Sequence, residues 1–172
     1  PIGVTNVSNQ SKFSGSTNSY MAAPDIGLSL STDQAFTWCF TLKPSSLGAG
    51  TFDILTKGDG VFGGNAEYRI YLSGSTLNFR IYYSGSSART HTATLTNGVD
   101  NMIFLVHDPV NDFISIKVNS GSPSTLAHAD GCRAKYGALT LGNTCGYPYL
   151  DSVSDATPSL PLINTRSEER RV

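Results

Sequence analysis

Charge is scarce in this chain. Only 15% of its 172 residues are Asp, Glu, Lys or Arg, and 12 basic residues stand against 13 acidic ones, for a formal net charge of -1. That balance creates no extended field for a polyanion, so neither nucleic acid nor a membrane surface is expected as a partner. Long apolar runs are missing too. Nothing approaches the roughly 20 residues of a membrane span, and PIGVTNVSNQ at the start has neither the basic nor the apolar region of a signal peptide. The chain therefore reads as made and used without secretion, or as part of something larger. Leu/Ala/Glu/Lys runs of helical period are absent, while Gly (17), Ser, Thr and Asn abound. This excludes long helices and favours short strands joined by many turns.

Cysteine is limited to three residues, so at least one thiol stays unpaired within the chain. Cys132 and Cys145 flank YGALTLGN, whose middle reads as a strand of about 16 Å. A bridge needs Cα atoms within about 7 Å, so Cys132 would have to fold back along that strand, and the pairing stays open. Adding His128 gives three scattered ligands, a poor basis for zinc. Glutamate is equally scarce, with Glu67, Glu168 and Glu169 alone. Retaining glycan hydrolysis needs two carboxylates about 5 Å apart, and no ExDxE or ExDxxE pattern exists to supply them. His107-Asp108 and His128-Ala129-Asp130 suggest a serine triad, but no G-x-S-x-G elbow follows a strand, and both histidines read as solvated turn residues. His91, between two threonines, carries no signal. The chain is not expected to be an enzyme.

What is present centres on Glu67 to Tyr83, EYRIYLSGSTLNFRIYY. Tyr68, Ile70 and Leu72 share one face of a first arm, and Leu77, Phe79 and Ile81 one face of a second. Gly74-Ser75 between them suits a type II′ turn. The register then sets Leu72 against Leu77, Ile70 against Phe79 and Tyr68 against Ile81. On the other side Arg69 faces Arg80, flanked by Tyr71, Asn78 and Tyr82. Like charges directly across a sheet repel, so either the side chains splay apart into solvent or an anionic or stacking partner relieves them.

Around this hairpin the chain offers further strands. Residues 1–12 read as a polar lead-in. Phe36, Trp38, Phe40 and Leu42 alternate with Thr37, Cys39 and Thr41, and Lys43-Pro44 ends that strand. Phe52–Thr56 is a short strand, followed by the glycine-rich loop Lys57–Asn65. This loop lacks the ending of a phosphate loop, and Asp59 and Asn65 are its candidate calcium ligands. Ser84–Thr90 reads as a polar loop, then Thr92–Leu95 and an Asn97-Gly98 turn. Met102–Val106 is so apolar that it is expected to be covered on both faces. Phe113–Val118 returns with Ile114, Ile116 and Val118 inward, and Ala138–Gly142 is the last clear strand. A domain over residues 1–150 is expected, with 151–172 an extended tail.

The order of these segments resembles the laminin-G-like, concanavalin A-like jelly-roll domains. The residues that carry it are Phe13-Ser14-Gly15 with Tyr20-Met21, Ala35-Phe36-Thr37 with Leu42-Lys43-Pro44, Leu55–Asp59, Tyr68–Leu72, Phe113–Gly121 and Leu139–Asn143. A tryptophan common before the apolar strand is replaced by Asn101-Met102, and the usual closing strand is not recognisable after Gly142. The resemblance implies an all-β fold, a two-sheet antiparallel β-sandwich, and non-catalytic binding of glycans or proteins, sometimes with calcium. Two settings follow. One is a surface-displayed virion component, for head decoration or tail attachment, held to protein subunits by the C-terminal tail. The other is a glycan-binding module of a secreted or cell-surface protein. In either, the candidate ligand residues are Arg69, Tyr71, Arg80 and Tyr82 on the hairpin, and Tyr136, Tyr147 and Tyr149 near the last strand.

Overall fold

The two-residue alternation carries through to the backbone. A computed structural model describes backbone and side chains for residues 34–44, 51–58, 66–84 and 87–132, and the backbone of the strand segments 4–7, 10–13, 19–23 and 139–143. The described residues form twelve strands: β1 Val4–Val7, β2 Gln10–Phe13, β3 Ser19–Ala23, β4 Phe36–Leu42, β5 Thr51–Gly58, β6 Ala66–Ser73, β7 Thr76–Ser84, β8 Ser87–Thr94, β9 Asn101–Asp108, β10 Phe113–Val118, β11 Ser124–Ala127 and β12 Leu139–Asn143. No helix occurs among the described residues. The pairings are antiparallel. One sheet runs β3-β12-β5-β6-β7-β8, a second runs β11-β10-β9-β4, and β1 pairs with β2.

The two larger sheets face each other across one core. Leu55, Tyr68, Ile70, Leu72, Leu77, Phe79 and Ile81 come from the six-stranded sheet, and Ile103, Leu105, Ile114 and Ile116 from the four-stranded one. Aromatic rings of β4 tie the layers together: Phe36 lies 5.5 Å from Tyr68 and 6.1 Å, edge-on, from Phe79. Trp38 lies 6.0 Å from Tyr68. The central hairpin has the expected register, Leu72 against Leu77, Ile70 against Phe79, Tyr68 against Ile81 and Arg69 against Arg80. Gly74 has φ +57°, while Ser75 is not among the residues of positive φ. One positive φ at the first central position is what a type II′ turn requires.

Other expectations are corrected. Residues 1–12 are not a bare lead-in, because β1 and β2 pair there. The supposed loop 84–90 is mostly strand, since β8 begins at Ser87 and follows β7. Strand β5 extends through Lys57 to Gly58, so the loop starts later, and Lys57 is a buried strand residue opposite Tyr68. Strand β9 is covered on one face only: Ile103, Leu105 and His107 are buried, whereas Met102 is 49% exposed and Phe104 and Val106 are partly so. The strand is apolar on both sides although only one side meets the core.

Candidate functional site

The outward face of β5-β6-β7-β8 gathers the polar residues of the hairpin. A bulge between Asp53 and Leu55 in β5 sets Asp53 opposite Tyr71 and Leu55 opposite Ile70. Without it the two would share a face, as residues two apart in a strand do. Asp53 therefore joins the outward side and forms a buried ion pair with the Nε of Arg69. The Arg69 guanidinium also stacks 4.3 Å from the Tyr71 ring centre. Arg80 donates from Nε to Thr90 Oγ1 at 2.9 Å, with its guanidinium 6.0 Å from Tyr71 and 5.8 Å from Tyr82. The facing arginines are thus held apart by partners inside the chain, and neither an external anion nor free splaying into solvent is needed.

Burial divides this face. Glu67, Arg69 and Tyr82 are at most 5% exposed, and Asn78 is 8% exposed with Nδ2 donating to Thr76 O. Tyr71, Arg80 and Thr90 are partly exposed. Among the described residues, the accessible part of the expected site is therefore Tyr71 and Arg80, with Arg69 and Tyr82 as their buried supports. Tyr136, Tyr147 and Tyr149, the calcium candidates Asp59 and Asn65, Cys145 and the tail 151–172 lie outside the described residues.

A second polar group, missed in the sequence, lies where the two sheets meet beside β9. His107 and His128 are each 1% exposed, not solvated in turns, and their rings are 5.4 Å apart. His107 Nδ1 pairs with Gln34 O at 3.0 Å. His128 is flanked by Tyr83, and both its ring nitrogens are shielded from solvent without a hydrogen-bond partner of good geometry. Burial first, then the neighbouring His107, lowers the His128 pKa from the usual imidazole value. Cys132 is buried nearby in chain terms, its Sγ 3.9 Å from Glu67 O. Burial, then the Glu67 carboxylate and Cys132, pushes the Tyr68 phenol far above its ordinary range. Among the described residues no cluster of His, Cys, Asp or Glu has the geometry of a metal site.

His91 Nε2 lies 3.0 Å from both Ser124 O and Ser124 Oγ. Which bond forms follows the ring tautomer: a protonated Nε2 donates to the Ser124 carbonyl, and an unprotonated one accepts from the Ser124 hydroxyl. Asp53, the carboxylate on the hairpin face, is bound to Arg69.

No protein-family model and no curated protein matches the sequence. Solved structures do match. The chain is similar to the binding domain of botulinum neurotoxin serotype G, with TM-score 0.66 and 10% identity over 86% of this chain and 38% of that one. It is also similar to domains LG4-5 of the mouse laminin alpha1 chain, with TM-score 0.53 and 10% identity over 75% of this chain and 35% of that one. A third match is a botulinum neurotoxin of type C, described as depending on two ganglioside molecules to get into cells, with TM-score 0.51 and 11% identity over 83% of this chain and 42% of that one. The fold is thus a laminin-G-like, concanavalin A-like jelly roll. This chain spans less than half the length of each of those three.

Proposed function

We propose that the chain is a non-catalytic binding module whose ligand is an acidic glycan, held on the outward face of β6-β7. The carrying observation is the pair Tyr71 and Arg80, partly exposed and braced from behind by the buried Arg69-Asp53 ion pair. Arg80 spends Nε on Thr90, which leaves the other guanidinium donors, in a fixed fork, for a carboxylate. Tyr71 offers apolar ring surface and a hydroxyl to a sugar. Support from the fold is that of a toxin domain described with gangliosides, which are sialylated and therefore anionic. The other candidate tyrosines, Tyr136, Tyr147 and Tyr149, and calcium at Asp59 and Asn65 belong to the same proposal as additional contacts.

An array of neutral and sialylated oligosaccharides tests this. The wild-type chain is expected to mark acidic glycans, and Arg80→Gln and Tyr71→Ala each to weaken binding roughly tenfold or more, a loss of about 1.4 kcal/mol. Unchanged melting temperatures would show both variants folded. Signal on no glycan, or binding untouched by both substitutions, would defeat the proposal.

A surface-displayed setting accompanies it. The matched toxin and laminin structures each hold this fold as part of a longer chain, which favours a module carried by something larger. We place it on a virion surface, with an extracellular or cell surface as the other setting, and assign attachment to residues 151–172 beyond a domain of 1–150. Deleting 151–172 should abolish co-sedimentation with the particle while leaving glycan binding intact.

A further inference from the structure

Strand β4 is the last strand of its sheet, bonded to β9 on one side and, among the described residues, to nothing on the other. Exposed edges of this kind invite pairing with another chain, and proteins usually blunt them with lysine, proline or a bulge. Across its seven residues, FTWCFTL, β4 has none of these. Phe36, Trp38, Phe40 and Leu42 are half-buried toward the core, while Thr37, Cys39 and Thr41 are exposed. Next to them on the outward side, in register, lie Met102, Phe104 and Val106 of β9. The outward face there mixes these apolar side chains with Thr37 and Thr41, has Lys117 of β10 5.8 Å over the Phe104 ring, and is continuous with that edge.

We propose that this edge pairs with the same edge of a second copy, antiparallel about a two-fold axis through Cys39. The sequence of β4 is self-complementary in that register. Cys39 is the midpoint of Phe36–Leu42, so Thr37 falls opposite Thr41 of the copy, Trp38 opposite Phe40, and Phe36 opposite Leu42. Core-facing aromatic residues meet core-facing ones, and threonine meets threonine, both favourable cross-strand pairs. A slip of one residue would set core-facing against outward side chains, and a slip of two would leave fewer of the seven residues paired. Charge permits the pairing as well. The nearest charged residue of the described segment is the exposed Lys43, which falls opposite Ala35 of the copy. The two lysines then sit at opposite ends of the ribbon, eight residues or about 26 Å apart, well beyond a screening length of about 8 Å. The two four-stranded sheets become one continuous sheet of eight.

Sedimentation across a range of protein concentrations tests the pairing, with the single tryptophan, Trp38, as a fluorescence reporter at the contact. A species of twice the 18.3 kDa chain mass is expected, its formation shifting the Trp38 emission. Thr37→Lys with Thr41→Lys sets lysines face to face across the axis and should weaken association roughly tenfold or more. Thr37→Lys with Thr41→Glu sets lysine against glutamate and should restore it. Both pairs change exposed residues, so the fold is retained. Mild oxidation should join two chains through Cys39, two thiols losing two protons and two electrons to the added oxidant. Either Cα spacing of an antiparallel pair lies within disulfide range, and Cys39→Ser should abolish the link. A chain that stays single at high concentration overturns the proposal, as does a dimer indifferent to the lysine pair. Slow hydrogen exchange, in a single chain, at the β4 amides that point away from β9 would overturn it too, placing another segment of the same molecule on that edge.

Discussion

The chemistry turns on a few buried polar residues. Asp53 and Arg69 form an ion pair taken out of water, and removing one partner of such a pair typically costs about 3–5 kcal/mol. Asp53→Asn is therefore expected to lower unfolding stability by about 3 kcal/mol in denaturant titrations, and to disturb Arg80 less than Arg69, because Arg80 bonds Thr90 instead. His128 sets a pH response. Its pKa in the folded chain lies below the unfolded value of about 6.5, so the fold favours the neutral ring. The unfolded chain then binds more protons just below that value, and stability is complete above about pH 6.5 and declines as pH falls toward the folded pKa. The groups around it act in both directions: Asp130 favours the charged ring, His107 and Arg89 oppose it. His128→Phe should flatten the slope of melting temperature between pH 7 and pH 5, and an unchanged slope would assign it elsewhere. Asp108 titrates lower. Bonds from the Asn111 side chain and backbone, and from Val110 N, hold its carboxyl below the usual value, so its contribution is lost only in stronger acid.

At the scale of elements, the strands differ in how much of each was legible in the residue pattern. The β6-β7 hairpin could be read to its register because both arms alternate cleanly and the turn supplies a glycine where φ must be positive. Its core depends on Phe79, fully buried and edge-on to Phe36. Phe79→Ala should cost about 3–5 kcal/mol, read as a lower denaturation midpoint. The strands that escaped reading, β1, β2 and β11, have little apolar alternation, as in VTNV, QSKF and STLA. Their extended form is set by a neighbour's ladder, β11 on β10 for example, and β-propensity is largely a report on such surroundings. The candidate site was half legible. Arg69, Tyr71, Arg80 and Tyr82 do converge, but Asp53 was hidden because a bulge reverses which face it occupies. The histidine pair joins residues 21 positions apart in chain order through the packing of β9 and the segment after β11, which no local pattern encodes.

For the whole molecule, two sheets share one apolar core and present two unlike outer faces. The face of β5-β8 is polar and carries Tyr71 and Arg80, while that of β4 and β9 sets Met102, Phe104 and Val106 beside Thr37, Cys39 and Thr41 and ends, among the described residues, in an unpaired edge. Under the two proposals, one face serves the ligand and the other self-association. Self-pairing through β4 would set two ligand faces on one particle, and a bivalent module binds a clustered glycan surface more tightly than a single one. The most direct measurement is an NMR titration of the chain with a sialylated oligosaccharide. Shifts are expected at the amides of Asp53, Arg69, Tyr71, Asn78, Arg80 and Thr90, with β9 and β10 unmoved. Shifts confined to the β4-β9 face, or none as ligand is raised to saturation of its solubility, would contradict a glycan site on the hairpin.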